Sequence, residues 1–194
     1  MRKLTSADYR VMPWKNGGGS TTEIFLEPAT GIAARPFLWR VSIANVTVNG
    51  PFSIFAGCDR HIMGVDGDGM VLDGGPDGAI TVAPAFVPKR FSGDWRLMSR
   101  LLGGPVRDFN LIADRSRVRS GLACEHLIAP RHFEAGNATL LIHALQGAAE
   151  FATDRLEQNE SLLLAPGEAV TFTPLPGTAP RLALCRVGPR GPSG

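Results

Sequence analysis

The densest run of chemically capable residues is Met12-Pro13-Trp14-Lys15-Asn16-Gly17-Gly18-Gly19-Ser20-Thr21-Thr22-Glu23. Within three residues it supplies an aromatic wall (Trp14), a cation (Lys15) and an amide (Asn16), and the glycines that follow open the backbone to positive φ and close approach. Each glycine loses extra entropy on folding, so a triplet flanked by polar groups fits a backbone pressed against a ligand or another strand. The alternative is a hairpin or strand crossover with Trp14 packed in the core. Downstream, Phe37 to Val48 alternates Trp39, Val41 and Ile43 with Arg40, Ser42 and Ala44. On a surface sheet Arg40 would be solvated; inside a small barrel Arg40 and Ser42 would face the cavity and need an anionic partner. Asp59-Arg60 reads as a local ion pair that shapes a turn or as part of a pocket rim. Arg107-Asp108-Phe109-Asn110, after Gly103-Gly104-Pro105, offers polar side chains that reach a cavity or cap a turn.

Other chemistries find little support. The glycine run is no phosphate-binding P-loop, because Lys15 precedes the glycines, and Gly64, Gly67 and Gly69 lie in a hairpin with no helix after them. Ser20 to Glu23 has the spacing of a capping box, but Ile24-Phe25-Leu26 reads as strand. Cys58 and His61 lack a third group to orient them as nucleophile and base. His61, His126, His132 and His143 are scattered with no His-x-His pair, which disfavours a metal site. Cys58, Cys124 and Cys185 are widely spaced and read as reduced, buried thiols.

These residues need rigid elements to position them. The chain has 23 Gly and 15 Pro among 194 residues, too many for long helices, and 44% hydrophobic residues, enough for a compact core. Turn signals arrive every eight to twelve residues between short runs of strand character, predicting a sandwich or barrel with helices no longer than single turns. The expected strands are Glu23 to Leu26, Phe37 to Val48, Met70 to Leu72, Ile80 to Val82, Trp95 to Leu102, Leu140 to Leu145, Leu162 to Leu164, Val170 to Phe172 and Leu182 to Val187. The halves echo each other. Val65-Asp66-Gly67 resembles Leu145-Gln146-Gly147, Ala83-Pro84 answers Ala165-Pro166, and Trp95 to Leu102 answers Arg181 to Val187, as in a duplicated β-barrel. A net charge of +2 gives no field for nucleic acid or anionic membranes, and no run is apolar enough for a membrane span, so a cytoplasmic protein with neither partner is expected. Only three of the 20 basic residues are Lys, and Arg is the better grip for carboxylate or phosphate.

Met12 to Glu23, Trp39-Arg40-Val41-Ser42, Gly50-Pro51-Phe52-Ser53-Ile54-Phe55, Asp59-Arg60 and Asp108-Phe109-Asn110 occur in an order and spacing that resembles the HutD/Ves family. Ala56-Gly57, where Pro-Gly is usual, and His61, where an apolar residue is common, depart from the family pattern. The resemblance implies an all-β bicupin, two fused cupin-like jelly-roll barrels: residues 1–107 with the ligand pocket, 108–188 as the second module, and 189–194 as a flexible tail. It also implies an accessory or regulatory protein of histidine utilisation with no established reaction, more a binding protein than an enzyme, that takes a small anionic pathway metabolite such as formylglutamate. Many cupins hold a metal through clustered His and Glu; this sequence lacks that cluster, and no cofactor is expected. The pocket would draw on Trp14, Lys15, Asn16, Gly17, Gly18, Glu23, Arg40, Ser42, Arg60, Asp108 and Asn110, since a dicarboxylate with an amide-like end wants cations, an amide and an apolar wall. A second reading is a metal-independent cupin enzyme acting on a small acid or sugar, with Glu23 or Asp108 as general base. A third is a homodimeric scaffold that contacts another protein through an exposed sheet edge.

Overall fold

The computed structural model describes residues 1–15, 17–31 and 36–190, so Asn16 and residues 191–194 of the expected tail lie outside the described residues. Among those residues, regular structure consists of nineteen β-strands and a 3₁₀ turn at Ser6–Asp8. Thr5 caps that turn through its hydroxyl, and the Asp8 carboxylate accepts the Thr5 N–H at 2.9 Å. The absence of longer helices is what the glycine and proline content requires.

The chain separates into two compact units, one formed by Arg10–Val118 and the other by Met1–Tyr9 together with the chain from Arg119 onward. In the first, six antiparallel strands run in the order Arg10–Pro13, Gly19–Pro28, Phe37–Val46, Val106–Asp114, Cys58–Asp66, Lys89–Ser92. A four-stranded sheet runs Gly50–Pro51, Met98–Leu101, Met70–Asp73, Ile80–Val82. Ile62 and Phe91 of the larger sheet share a core with Met70, Leu72, Val82 and Leu97, so the two sheets close on each other through these side chains. Burying each such side chain stabilises the fold by about 1.5–3 kcal/mol.

The second unit repeats this plan. Its larger sheet runs Arg2–Leu4, Ser161–Leu164, Thr139–Gln146, Arg181–Pro189, Val118–His126, and its smaller one Arg131–Glu134, Ala169–Pro174, Ala149–Phe151, Asp154–Leu156. Taken by order along the chain, the smaller sheets of the two units are arranged alike, as are four consecutive strands of the larger ones. Its core holds Leu140, Ile142, Leu162 and Leu182 with Phe133, Phe151 and Phe172, the Phe172 ring meeting Phe151 edge-on at 5.3 Å.

Several expectations need adjustment. Val106–Asp114 pairs on one side with Phe37–Val46 and on the other with Cys58–Asp66, so it belongs to the first unit, which ends at Val118 and not at 107. Pro189 is the last residue of a strand, not the start of a tail. By sheet order the counterpart of Met98–Leu101 is Ala169–Pro174, and Arg181–Pro189 answers Val106–Asp114. The proposed match of Trp95 to Leu102 with Arg181 to Val187 is therefore off by one strand. Ala83-Pro84 and Ala165-Pro166 likewise sit in different connections.

Candidate functional site

Pairing in the six-stranded sheet decides which side chains share a face. Ile112 lies between Arg40 and Arg60, Asn110 between Ser42 and Ile62, and Asp108 between Ala44 and Gly64. Further out, Glu23 pairs with Ser42 and Thr21 with Ala44. Because side chains alternate along a strand, these residues stand on one side of the sheet. Trp39, Val41 and Ile43, with Phe109 and Leu111, make the opposite, apolar side, as the alternation in Phe37–Val46 predicts.

The polar side opens into a cavity of about 410 Å³. Trp14, Lys15, Arg40, Ser42, Arg60 and Asn110 line it, joined by Thr21, Phe52, Ser53, Phe55, Ser99 and their neighbours. Arg60 forms the floor. Its Nη1 donates to the Ser53 carbonyl at 2.8 Å, its Nη2 donates to Asn110 Oδ1 at 3.0 Å, and the guanidinium carbon lies 4.4 Å from the Phe52 ring centre and 5.1 Å from those of Phe55 and Phe91. An aromatic box of this kind holds a guanidinium without neutralising it. Burial lowers the Arg60 pKa to about 10; Asp108 acts against that shift and the nearby Arg40 adds to it. Arg40 keeps its own counter-charge: Nε is 2.7 Å from Glu23 Oε2, a close ion pair whose N–H is not aligned for a hydrogen bond.

Behind Arg60 lies Asp108, fully buried. One carboxylate oxygen accepts the Asn110 side-chain N–H; among the described residues the other, Oδ2, has no hydrogen-bond partner. Burial pushes Asp108 up to about 7, against the opposing pull of Asn110 and Arg60.

The glycine run turns the chain next to this cavity. Trp14 N–H donates to the Gly19 carbonyl at 2.9 Å, Gly17 N–H to the Trp14 carbonyl at 3.0 Å, and indole Nε1 to Thr21 Oγ1 at 2.8 Å, which sets the ring against the cavity. A Cβ on Gly19 would lie 2.1 Å from the Asn45 carbonyl oxygen and 3.1 Å from the Trp14 ring. The Gly18 carbonyl accepts Thr47 N–H at 3.0 Å. Gly18 and Gly19 therefore serve approach to the adjacent strand, and neither Gly17 nor Gly18 lines the cavity.

Of the residues singled out from the sequence, Trp14, Lys15, Arg40, Ser42, Arg60 and Asn110 come together at the cavity; Glu23 and Asp108 stand behind it as partners of Arg40 and Asn110. Asp59 does not pair with Arg60, its neighbour in an extended strand. It meets Arg90 at 2.8 Å and Arg115 at 3.3 Å instead. Phe52, Phe55 and Ser53 were not singled out as site residues, although the only signal for them, the Gly50 to Phe55 motif, is continuous in the sequence.

The sequence model of the family described as HutD matches residues 6–179. The chain belongs to the HutD family. An "Uncharacterized 21.2 kDa protein in hutC 3'region" of Pseudomonas putida is 44% identical over 124 residues, 63% of this chain, and the chain spans 63% of that relative's length. "Protein Ves" of Cronobacter sakazakii is 34% identical over 146 residues, 73% of this chain and 76% of that one. The structure of HutD from Pseudomonas fluorescens SBW25 superposes with a TM-score of 0.81 at 32% identity, covering 98% of this chain and 99% of the other. Vicilin from Capsicum annuum, at 9% identity and a TM-score of 0.65 over 97% of this chain and 86% of that one, places the all-β fold among the cupin-like folds. A cupin-like fold commonly implies a metal, and the described residues of this HutD-family chain do not fit one. Among the described residues no three His, Cys, Asp or Glu side chains are grouped to hold an ion, and the cavity face presents two guanidinium groups where metal ligands would have to stand.

Proposed function

We propose that this protein is a metabolite-binding accessory or regulatory protein of histidine utilisation, built from two cupin-like modules, and that the cavity of the first unit takes a small anion of the formylglutamate type. The observation that carries the reading is the pair of guanidinium groups, Arg40 and Arg60, on one face of the sheet on either side of Ile112. Glu23 offsets one of them; the main charge opposite Arg60 is the Asp108 carboxylate, whose charged form burial disfavours. With Lys15 at the exposed mouth, the cavity is electropositive and suits a carboxylate, for which Arg provides paired donors. Phe52, Phe55 and Trp14 supply the apolar wall that a short carbon chain needs. The position of the Pseudomonas putida relative beside hutC and the HutD family name support the pathway assignment.

Neither carboxylate suits the role of general base. Glu23 is engaged by Arg40, and Asp108 is fully buried with Asn110 standing between it and the cavity. Binding is thus favoured over turnover. Calorimetric titration with histidine, urocanate, formiminoglutamate and formylglutamate tests the reading. Formylglutamate should bind with at least about tenfold higher affinity than histidine, and Arg40→Ala should weaken it by about tenfold or more, as expected for loss of one charge-assisted hydrogen bond. Absence of binding to all four, or an unchanged affinity in Arg40→Ala, defeats it.

A further inference from the structure

Asn110 is the one amide that faces the cavity from the central strand, and both ends of its side chain are engaged. Its oxygen accepts Arg60 Nη2 at 3.0 Å, and its NH₂ group donates to Asp108. An amide can present either a donor or an acceptor, and here the choice is made from two sides, by Arg60, which can only donate, and by Asp108 behind the cavity, which accepts. With Oδ1 turned on Arg60 and one N–H held by Asp108, what remains for a ligand from this pair is the second Asn110 N–H and the guanidinium. Asp108 itself cannot touch a ligand: it is fully buried between Ala44 and Gly64, on strand positions that offer it no other donor. A carboxylate in such a place, with one oxygen lacking a hydrogen-bond partner among the described residues, costs the fold stability, and the side-chain hydrogen bond it does accept comes from Asn110.

We propose that Asp108 is a positioning residue for ligand selection: by holding the Asn110 NH₂ group it fixes the amide so that the Arg60–Asn110 floor offers donors alone, which admits a carboxylate and rejects the isosteric carboxamide. A carboxamide placed on this floor would direct its own NH₂ at Arg60 or at the Asn110 N–H, leaving buried donors facing each other. A carboxylate satisfies both. The inference deepens the metabolite-binding reading and rests on it for the identity of the ligand, while the orientation of Asn110 is a property of the free protein.

The experiment follows that division. In the free protein, the Asn110 side-chain NH₂ resonances should show one strongly hydrogen-bonded proton; Asp108→Leu should remove that signature, and Asp108→Asn, whose oxygen can accept the same bond, should restore it. In titrations, the wild type should bind N-formyl-L-glutamate about 30-fold or more tightly than at least one of its mono-amides, N-formyl-L-glutamine or N-formyl-L-isoglutamine, the range expected for a hydrogen bond to a charged group. That ratio should fall below about fivefold in Asp108→Leu and return in Asp108→Asn. Should Asp108→Leu fail to fold, Asp108→Ala removes the acceptor without adding bulk. An Asn110 signature indifferent to Asp108→Leu, or a carboxylate preference that survives it unchanged, overturns the proposal. If Asn110 responds as expected but formylglutamate does not bind the wild type, the positioning stands and the choice of ligand falls.

Discussion

Arg60 and Asp108 face opposite demands from the same environment. Burial disfavours the charge on each, yet the two are linked through Asn110, so each is the other's compensation. Asp108 makes stability depend on pH in a calculable direction. Its pKa in the fold, about 7, is above its ordinary value of 3.8, so the folded state holds the proton more tightly than the unfolded chain. The contribution is fully present below the unfolded value and is lost as pH rises through the folded one, by at most about 4 kcal/mol in total. In Asp108→Asn there is no proton to lose. Denaturant unfolding from pH 5 to pH 8 should therefore show wild type losing stability relative to Asp108→Asn as pH rises. Parallel profiles would show that Asp108 is already ionised throughout that range.

At the scale of elements, the hairpin between Arg10–Pro13 and Gly19–Pro28 carries Trp14 and Lys15 to the cavity, and its glycines are not equivalent. Gly19 lies against the backbone of Asn45, where a Cβ has no room; Gly17 has φ +70° and open space around it. Gly19→Ala should cost about 2–4 kcal/mol, the range of overpacking against unyielding backbone, and weaken ligand binding by displacing Trp14. Gly17→Ala should cost only the left-handed penalty of about 1 kcal/mol. Thermal melts of the two variants make the comparison, and equal losses would contradict this account of the turn.

Elements of this kind were unequally legible in the sequence. Phe37–Val46 was clear because apolar and polar residues alternate along it, and that alternation correctly put Arg40 and Ser42 on one face. Ile80–Val82 was likewise found to the residue. Cys58–Asp66 and Val106–Asp114 were missed as strands because Asp59, Arg60, His61, Arg107, Asp108 and Asn110 interrupt the apolar pattern. Three of those interruptions, Arg60, Asp108 and Asn110, belong to the site: a strand that buries charge inside the fold does not look like a strand until its partners on both sides are known.

On the scale of the whole molecule, one plan of sheets is used twice with different interiors. The first unit leaves a polar cavity beside its core, whereas the second packs Phe133, Phe151 and Phe172 with aliphatic residues, and its buried His143 has its Nδ1 2.9 Å from Ser161 Oγ. Repeated β-topology was legible from the spacing of turns, but the strand correspondence was not, because each turn looks like the next. If the proposed function holds, stability and recognition fall to different residues. Phe172→Ala should destabilise by about 3–5 kcal/mol through lost burial and a residual cavity. Its affinity for formylglutamate, measured well below the melting point, should match wild type. A large loss of affinity in a folded Phe172→Ala protein would mean that the cavity of the first unit does not act alone.

In the proposed reading, the buried, aromatic-boxed Arg60 guanidinium serves both its partners in the fold and an anion in the cavity. Arg60→Met separates the two, since methionine occupies similar space among Phe52, Phe55 and Phe91 without a charge to desolvate. Calorimetric titration of wild type and Arg60→Met with N-formyl-L-glutamate, with melting of both recorded alongside, is the most direct measurement. Stability should fall by about 3–5 kcal/mol, the range for removing one partner from a buried charged network, and affinity should fall by about 100-fold or more. Wild-type affinity in Arg60→Met, with the fold intact, would contradict this reading.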